Sequence, residues 1–411
     1  MVQFKLLPKN ARTCIAVEPL WAFFGPVVSY FMPLYQRARG LSEMQMGLLN
    51  SLAIASGLVF YSLAAPITNK LGRRRTSLVF DLLSWTISMV LWAFSTSFAW
   101  FLAAAVFNSV VRVVFVSWNL LISEDADDAQ RSTVFGWINI IGTFGGFTTL
   151  LGGLLIDSFG LVQSMRTIFL LGSLSMTTMF VIRYLGTSET RMGSYLMEKT
   201  KSQSFALLVL SQLPKAGKAM REPFFRRMIG IYFIANSMLA IDFFRILYLR
   251  EEKALSPLLV SSIPALSALV SLFVFFRVLP SKKLGQNPNH LGSAFLFCMV
   301  AQTLLILMPR GSAISAILIF PSMQTAYALL CTLRDTSFMN GTDPDHRSER
   351  FSLIQMLMML FSIPMGWLAG LLYSILPHLP FVLATGLYAC GYILSRSLPT
   401  QQKDATQARR S

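Results

Sequence analysis

Ala65-Pro66-Ile67-Thr68-Asn69-Lys70-Leu71-Gly72-Arg73-Arg74-Arg75 is a short basic segment closed on both sides by long apolar runs. Three consecutive arginines do not sit in hydrocarbon, where each central charge costs about 2.5–3.5 kcal/mol on the insertion scale. The segment therefore reads as a turn between two membrane helices, with Gly72 permitting the tight reversal. Working outward, apolar stretches of about 20 residues recur along the chain, each long enough to cross roughly 30 Å of hydrocarbon at about 1.5 Å per residue. The bulk composition agrees: of 411 residues, 54% are hydrophobic and only 13% charged, and the mean hydropathy is +0.57. That is too apolar for a soluble globule of this length.

Twelve spans are expected, at about 14–35, 44–67, 76–95, 99–121, 133–155, 167–186, 227–249, 256–279, 291–308, 312–333, 351–374 and 379–397. The amino terminus carries charge without a short apolar core and small-residue cleavage site, so no removable signal peptide is read there. Setting aside Arg112 and Arg245 as intramembrane, 27 of the remaining 33 Lys and Arg fall on the side of Lys70 to Arg75, and six (Arg37, Arg39, Arg166, Arg250, Lys253, Arg310) on the other. This asymmetry places both termini and the central loop in the cytoplasm of a cell-membrane protein. The net charge of +16 is dispersed at helix ends and forms no basic stripe, so no nucleic-acid partner is expected. Cys14, Cys298, Cys331 and Cys390 have no paired spacing, which indicates neither disulfides nor zinc.

Three loops repeat. Gly40-Leu41-Ser42 matches Ala254-Leu255-Ser256, Asn69-Lys70-Leu71-Gly72 matches Lys282-Lys283-Leu284-Gly285, and Asp127–Ser132 matches Asp343–Ser348, all at offsets of 213 to 216 residues. A near-constant offset implies two homologous halves. The expected fold is all-α integral membrane, with twelve transmembrane helices in two pseudo-symmetric six-helix bundles. The first bundle would cover 1–186, a cytoplasmic central loop 187–226, the second bundle 227–397 and a cytoplasmic tail 398–411. Within the central loop, basic residues around the apolar patch Phe205–Leu210 suggest a helix lying on the membrane surface.

The basic turn resembles the signature of the major facilitator superfamily, roughly Gly-x-x-x-Asp-Arg-x-Gly-Arg-Arg, which reads here as Ala65, Asn69, Lys70, Gly72, Arg73 and Arg74. Glu124–Arg131 is similar to that family's turn between the fourth and fifth helices. Two positions depart from the family: Ala105 stands where many members have an Arg, and Thr148-Thr149 where antiporters have Gly-Pro. The resemblance implies two bundles rocking about a central cavity lined by the first, fourth, seventh and tenth helices. It also implies a gating role for Asn69, Lys70, Gly72, Arg73 and Arg74. Because Asn69 replaces the family's acid, another acid must accept Arg73 or Arg74; otherwise the closed state is held by packing.

Polar residues inside the spans are the candidate site. Glu18, Gly25, Ser29 and Gln36 share a face of the first span beside Pro19, Pro26 and Pro33, and Trp21 and Tyr30 offer an apolar wall. Asn108, Arg112 and Asn119 form a polar stripe on the fourth span. Arg112 needs a partner at that depth, either Asp81 in an ion pair or a substrate anion. In the seventh span Asn236 is a cavity candidate, and Asp242 lies one turn from Arg245, as a gate or a proton-coupling pair. Gln324 and Tyr327 in the tenth span and Gln355 in the eleventh could orient a ligand. Proton-coupling candidates are Glu18, Asp81, Asp242 and Arg245. The fifth-span glycines Gly142, Gly145, Gly146, Gly152 and Gly153 are expected to allow close helix contact.

No GxxxxGK[ST] sequence occurs, so a built-in ATP motor is not expected. The leading expectation is a secondary transporter of a small solute that works as a monomer in the lipid bilayer, without cofactor or catalytic residues, and is driven by protons. An exporter or flippase for lipids or amphiphiles is the alternative. A magnesium enzyme built on Asp125, Asp127 and Asp128 with Asp343 and Asp345 is a lesser one, because both clusters sit at repeat-equivalent turns where acids start helices.

Overall fold

The computed structural model describes residues 4–202, 222–273, 289–342 and 347–398. Among these, ten helices are long and apolar enough to cross a membrane, and the pair Lys9–Val17 and Pro19–Ala38, bent by 48°, makes an eleventh crossing. The eighth span is the shorter apolar helix Pro257–Phe273. The others follow the expected order: Glu43–Leu71, Arg73–Phe94, Phe98–Ser123, Leu161–Gly186 and Pro223–Asp242, with Asp128–Phe159 as the fifth. Asn289–Leu307, Ala313–Gly341, Arg347–Ile375 and Leu379–Arg396 complete the series.

Local chemistry sets the ends. Ser42 accepts from the backbone N–H of Gln45 while the Gln45 side chain accepts from that of Ser42, and Asp127 and Gln130 make the same reciprocal box at the fifth span. Each box satisfies donors that a helix start leaves open. Asp127 is thus occupied with turn chemistry. Gly72, at φ +85°, separates the second and third spans in the left-handed region where a side chain would be strained.

The chain divides into two compact units, one of Met1–Leu213 with Pro257–Ala268, the other of Pro214–Ser256 with Leu269–Ser411. In the first unit the first span packs on the fifth and sixth, the second on the fourth, and the third on the fourth and sixth. In the second the seventh packs on the eleventh and twelfth, and the ninth on the tenth and twelfth. Four of these pairings are the same pairing shifted by six spans, so the repeat seen in three loops is also a repeat of packing.

One loop repeat extends to the backbone. Gly40 has φ +87° and Ala254, its equivalent, has φ +50°. Leu41 and Leu255 follow, buried in both halves. The corner before Ala254 is fixed by Lys253, whose ammonium donates to the carbonyls of Ile306 and Met308, each at 2.7 Å. Burial lowers the Lys253 pKa from the ordinary lysine value, Arg310 adds to this, and Glu252 opposes it. The repeats at Lys282–Gly285 and Asp343–Asp345, and the patch Phe205–Leu210, lie outside the described residues.

Within the first unit the fifth span is a contact hub. A Cβ on Gly145 would lie 2.7 Å from the Ala22 carbonyl, and on Gly152 2.5 Å from Val27. On Gly146 it would lie 3.0 Å from the Pro264 carbonyl and on Gly153 2.2 Å from Ser261. Gly142 departs from the expectation, since nothing lies within 4 Å of its Cβ position. Thr149 donates to the Ser261 carbonyl at 3.0 Å, a polar tie between helices that small residues bring close.

Candidate functional site

The basic turn is organised by acids from elsewhere in the first unit. Arg73 is almost wholly buried, and its guanidinium donates to both oxygens of Glu124 at 2.9 and 3.1 Å and to Oδ1 of Asn69 at 3.1 Å. Asn69 therefore keeps a hydrogen bond where it supplies no charge, and Glu124 supplies the charge. Packing alone does not hold this turn. A second carboxylate, Glu189, accepts from the backbone N–H groups of Arg73 and Arg74 at 3.0 and 3.1 Å. It caps the third span, whose Gly72 N-cap has no side chain to offer.

Arg74 donates to the Tyr184 carbonyl at 2.8 Å and lies 3.9 Å over the Tyr184 ring. Thr190 adds its hydroxyl to Glu124. The helix Arg191–Thr200, the described start of the central loop, closes over this point: Met197 and Glu189 occupy the space beside Gly72, and Thr200 donates to the Asn69 carbonyl at 3.2 Å. Lys70 is half-buried at the edge of the same turn.

Deeper in the same unit, Asp81 is ion-paired with Arg183 of the sixth span, both almost fully buried. This corrects the expected pair of Asp81 with Arg112. Arg183 lies three residues from the end of the helix Leu161–Gly186. Glu18 is also buried, at the break between the two halves of the first span. Its charge and the Cys14 side chain both act electrostatically on Arg183. Asp81 of the third span is thus the acid ion-paired with this cation of the sixth, and Glu18 is a further buried carboxylate on the first.

The fourth span does not carry a single polar stripe. It breaks at Val110 into Phe98–Ser109 and Val111–Ser123. Asn108 turns inward and donates to the Ser84 carbonyl at 2.9 Å. Asn119 donates within its own helix to Phe115, at 2.5 Å. Arg112 is exposed, near Tyr61 of the second span, and no acid pairs with it among the described residues. Ser29 is exposed, and Trp21 meets Trp85 edge to face at 6.0 Å.

In the second unit, Asp242 and Arg245 are ion-paired as the one-turn spacing predicts. The regular helix ends at Asp242, and after a three-residue helix, Arg245–Leu247, the chain continues as a π-helix over Tyr248–Glu252. The pair lines a cavity of about 20 Å³ with Cys298, Gln302, Met323, Gln324, Tyr327 and Tyr388. Gln324 and Tyr327 were expected here; Gln302 and Tyr388 were not. A lone amide in the apolar ninth span was the signal for Gln302, since such a group needs a partner in hydrocarbon. Tyr327 donates to the Ala235 carbonyl at 3.2 Å. Asn236 and Gln355, both half-buried, do not line this cavity. Below it, Tyr232 donates to Asp335 at 2.7 Å while Arg334 bonds Asp335 and lies 4.2 Å over the Tyr232 ring.

Among curated proteins no sequence matches this chain significantly. Solved structures do. A POT family transporter in complex with a thioalcohol-conjugated peptide is similar at TM-score 0.69 and 12% identity, over 95% of this chain and 97% of that one. The nucleoside transporter NupG is similar at 0.68 and 13%, over 96% and 98%. A bacterial homologue of the human lysosomal transporter Spinster, inward-facing and occupied, is similar at 0.65 and 16%, over 94% and 92%. These likenesses establish a common fold. The Major Facilitator Superfamily profile matches residues 20–363. With the repeated packing and the basic turn between the second and third spans, that match shows that the chain belongs to the Major Facilitator Superfamily.

Proposed function

We propose that this chain is a secondary active transporter that carries a small solute across the cell membrane by alternating access, coupled to protons, with both termini cytoplasmic. The observation that carries the coupling is the buried group of Glu18, Asp81 and Arg183. Two carboxylates beside one guanidinium leave an excess negative charge when both are ionised, and burial makes that charge costly. A proton on one of them relieves the cost, and a change in access alters which face supplies it. Glu18 suits this role best. Asp81 is engaged by Arg183, while Glu18 stands at a 48° break in a span that can change its bend.

Arg112 supports a separate role. It is a cation with no acid partner among the described residues, suited to an anionic group on a solute. The peptide and nucleoside carriers of similar fold move small solutes, which favours a soluble cargo over a lipid one.

A thermal-shift screen across sugars, organic anions and hydrophobic cations at two pH values names the solute. Its uptake into proteoliposomes is then measured with and without a pH gradient. Glu18→Gln is expected to abolish gradient-driven accumulation and to keep exchange of labelled for unlabelled solute, because Asp81 and Arg183 still pair. Undiminished accumulation by Glu18→Gln removes the residue from coupling; no gradient-driven uptake of any solute by the native chain sinks the transporter reading.

A further inference from the structure

The helix Lys9–Val17 is tied down on its inner side and open on its outer one. Ala11, Cys14 and Ile15 belong to a buried cluster completed by Leu121, Ile122 and Val134 of the fourth and fifth spans. Asn10 donates to the Ser188 carbonyl at 2.9 Å and accepts from the Ser188 N–H at 3.0 Å, and Thr13 donates to the Gly186 carbonyl at 3.2 Å. What remains outward is Lys9, Arg12 and Ala16, all exposed and on one helical face by their spacing. Lys5, on the preceding turn Phe4–Leu6, is exposed as well. Among the described residues no acid pairs with any of these three cations.

That outer face ends a lipid-facing row. In the next helix the Leu20 carbonyl accepts from Ser175 of the sixth span, and Ala22 and Pro26 lie against Gly145 of the fifth. At about 100° per residue, Phe23 projects between those two contacts. It is 48% exposed. Pro19 is exposed too, so Lys9, Arg12, Ala16, Pro19 and Phe23 recur at helical steps through the bend. An apolar side chain half exposed on a membrane helix is covered by acyl chains, and cations at the end of such a row lie at the level of the headgroups. The 48° bend turns the basic helix away from the axis of the span it precedes. Phe4, edge to face with Trp137, and the exposed Leu6 add apolar contacts beside the cations.

We propose that Lys5, Lys9 and Arg12 bind the phosphate headgroups of anionic lipids in the adjoining leaflet, which is cytoplasmic on the proposed orientation, and so hold one arm of the bend at Glu18. Charge decides the partner: three cations with no acid beside them suit a lipid of net negative charge and gain little from a zwitterionic one. A row that runs on into acyl-facing side chains suits a headgroup joined to acyl chains, which a soluble anion is not. Glu18 is where this helix meets the next, so a lipid held on Lys9 and Arg12 loads the bend directly. That consequence rests on the reading of Glu18 as the coupling residue.

The test titrates the full chain, in micelles of an uncharged detergent, with dihexanoylphosphatidylglycerol, dihexanoylphosphatidylcholine and glycerol 3-phosphate, read by calorimetry. Phosphatidylglycerol is expected to bind, more weakly as salt is added, and the other two to give no titration. Each lost cation is expected to weaken the tightest phosphatidylglycerol binding roughly fivefold, so Lys9→Gln with Arg12→Gln weakens it roughly thirtyfold. Lys9→Arg with Arg12→Lys keeps both charges and is expected to keep native affinity. Lys199→Gln with Lys201→Gln, which removes two exposed cations elsewhere in the same unit, is expected to keep it too.

Equal affinity for phosphatidylcholine, an equal response to glycerol 3-phosphate, native affinity in the Lys9 and Arg12 glutamine pair, or an equal loss in the Lys199 and Lys201 pair each overturn the site. In proteoliposomes, gradient-driven accumulation by the native chain is expected to rise with phosphatidylglycerol content, and accumulation by the Lys9 and Arg12 glutamine pair to stay the same. Lipid binding as stated with native accumulation indifferent to it keeps the site and overturns its hold on the bend. Binding is read without a gradient, so the two readings fail separately. Anionic-lipid binding without uptake of any solute keeps the site and removes the carrier, whereas uptake without any preference for anionic lipid does the reverse.

Discussion

Arg73 and Ala254 illustrate how single residues carry the design. Arg73 is buried because Glu124, Asn69 and the Thr68 carbonyl take its donors, and an arginine without them would not be tolerated there. The sequence displayed the arginine and the missing acid at Asn69, but not which distant acid replaced it. Glu124 was visible in the acidic turn, yet only folding brings it to Arg73. Ala254 is the non-glycine residue at positive φ among those described, and its repeat partner is Gly40. A left-handed alanine costs about 1–2 kcal/mol, and the extra freedom glycine gives the unfolded chain returns about 0.4–1 kcal/mol of that. Ala254→Gly is accordingly expected to stabilise the protein by about 0.5–1 kcal/mol, read as a raised melting temperature of the purified chain. An unchanged or lowered value would show that the corner is not strained.

Four helix breaks in this protein lie at or beside a charged residue, although Arg183, Arg334 and Asp335 sit in uninterrupted helices. Glu18 lies between two helical segments, Asp81 immediately precedes a π-helical stretch at Leu82–Ile87, Arg112 follows the break at Val110, and Asp242 ends the regular part of the seventh span. Irregular helix frees backbone groups that polar side chains or a ligand can satisfy, and such breaks recur at functional sites. Of these breaks only the first had a sequence signal, Pro19; the π-helical stretches have no proline at all. The fifth span shows the opposite economy, in which absent side chains create contact. Gly153→Ala is expected to destabilise by about 1–3 kcal/mol through overpacking against Ser261. Gly142→Ala, with open space around it, is expected to be neutral or mildly stabilising. Thermal melts of the two variants separate them, and equal losses would refute the hub.

At the scale of the whole molecule, the proposed orientation rests on the distribution of Lys and Arg around the spans. A green fluorescent reporter fused after the carboxyl terminus is expected to fluoresce, and a phosphatase that works only outside the cytoplasm is expected to be active when inserted between Arg310 and Gly311. The reverse pattern would invert the topology and, with it, the direction in which Glu18 meets protons. The repeat gives the two units the same internal pairings of spans but not the same chemistry. The first unit buries the ion pair of Asp81 and Arg183 and a further carboxylate, Glu18, whereas the second has the Asp242–Arg245 pair lining a cavity.

Hydropathy and the repeated loops were enough for the twelve spans and their two-fold repetition, because these depend on local composition and on the bilayer as solvent, while the family rested on the resemblance at the basic turn and the match over residues 20–363. Asp242 with Arg245 was equally legible, since one helical turn joins them. What only the tertiary structure decided was partnership across helices. Asp81 chose Arg183 over Arg112, Glu124 replaced the acid missing at Asn69, and Gln302 joined the cavity of Asp242. Sequence gives a residue's depth along a span and its face, whereas the neighbour it meets depends on how far each helix is rotated and bent. In this chain those rotations are set by the glycines, the breaks and the buried charges themselves.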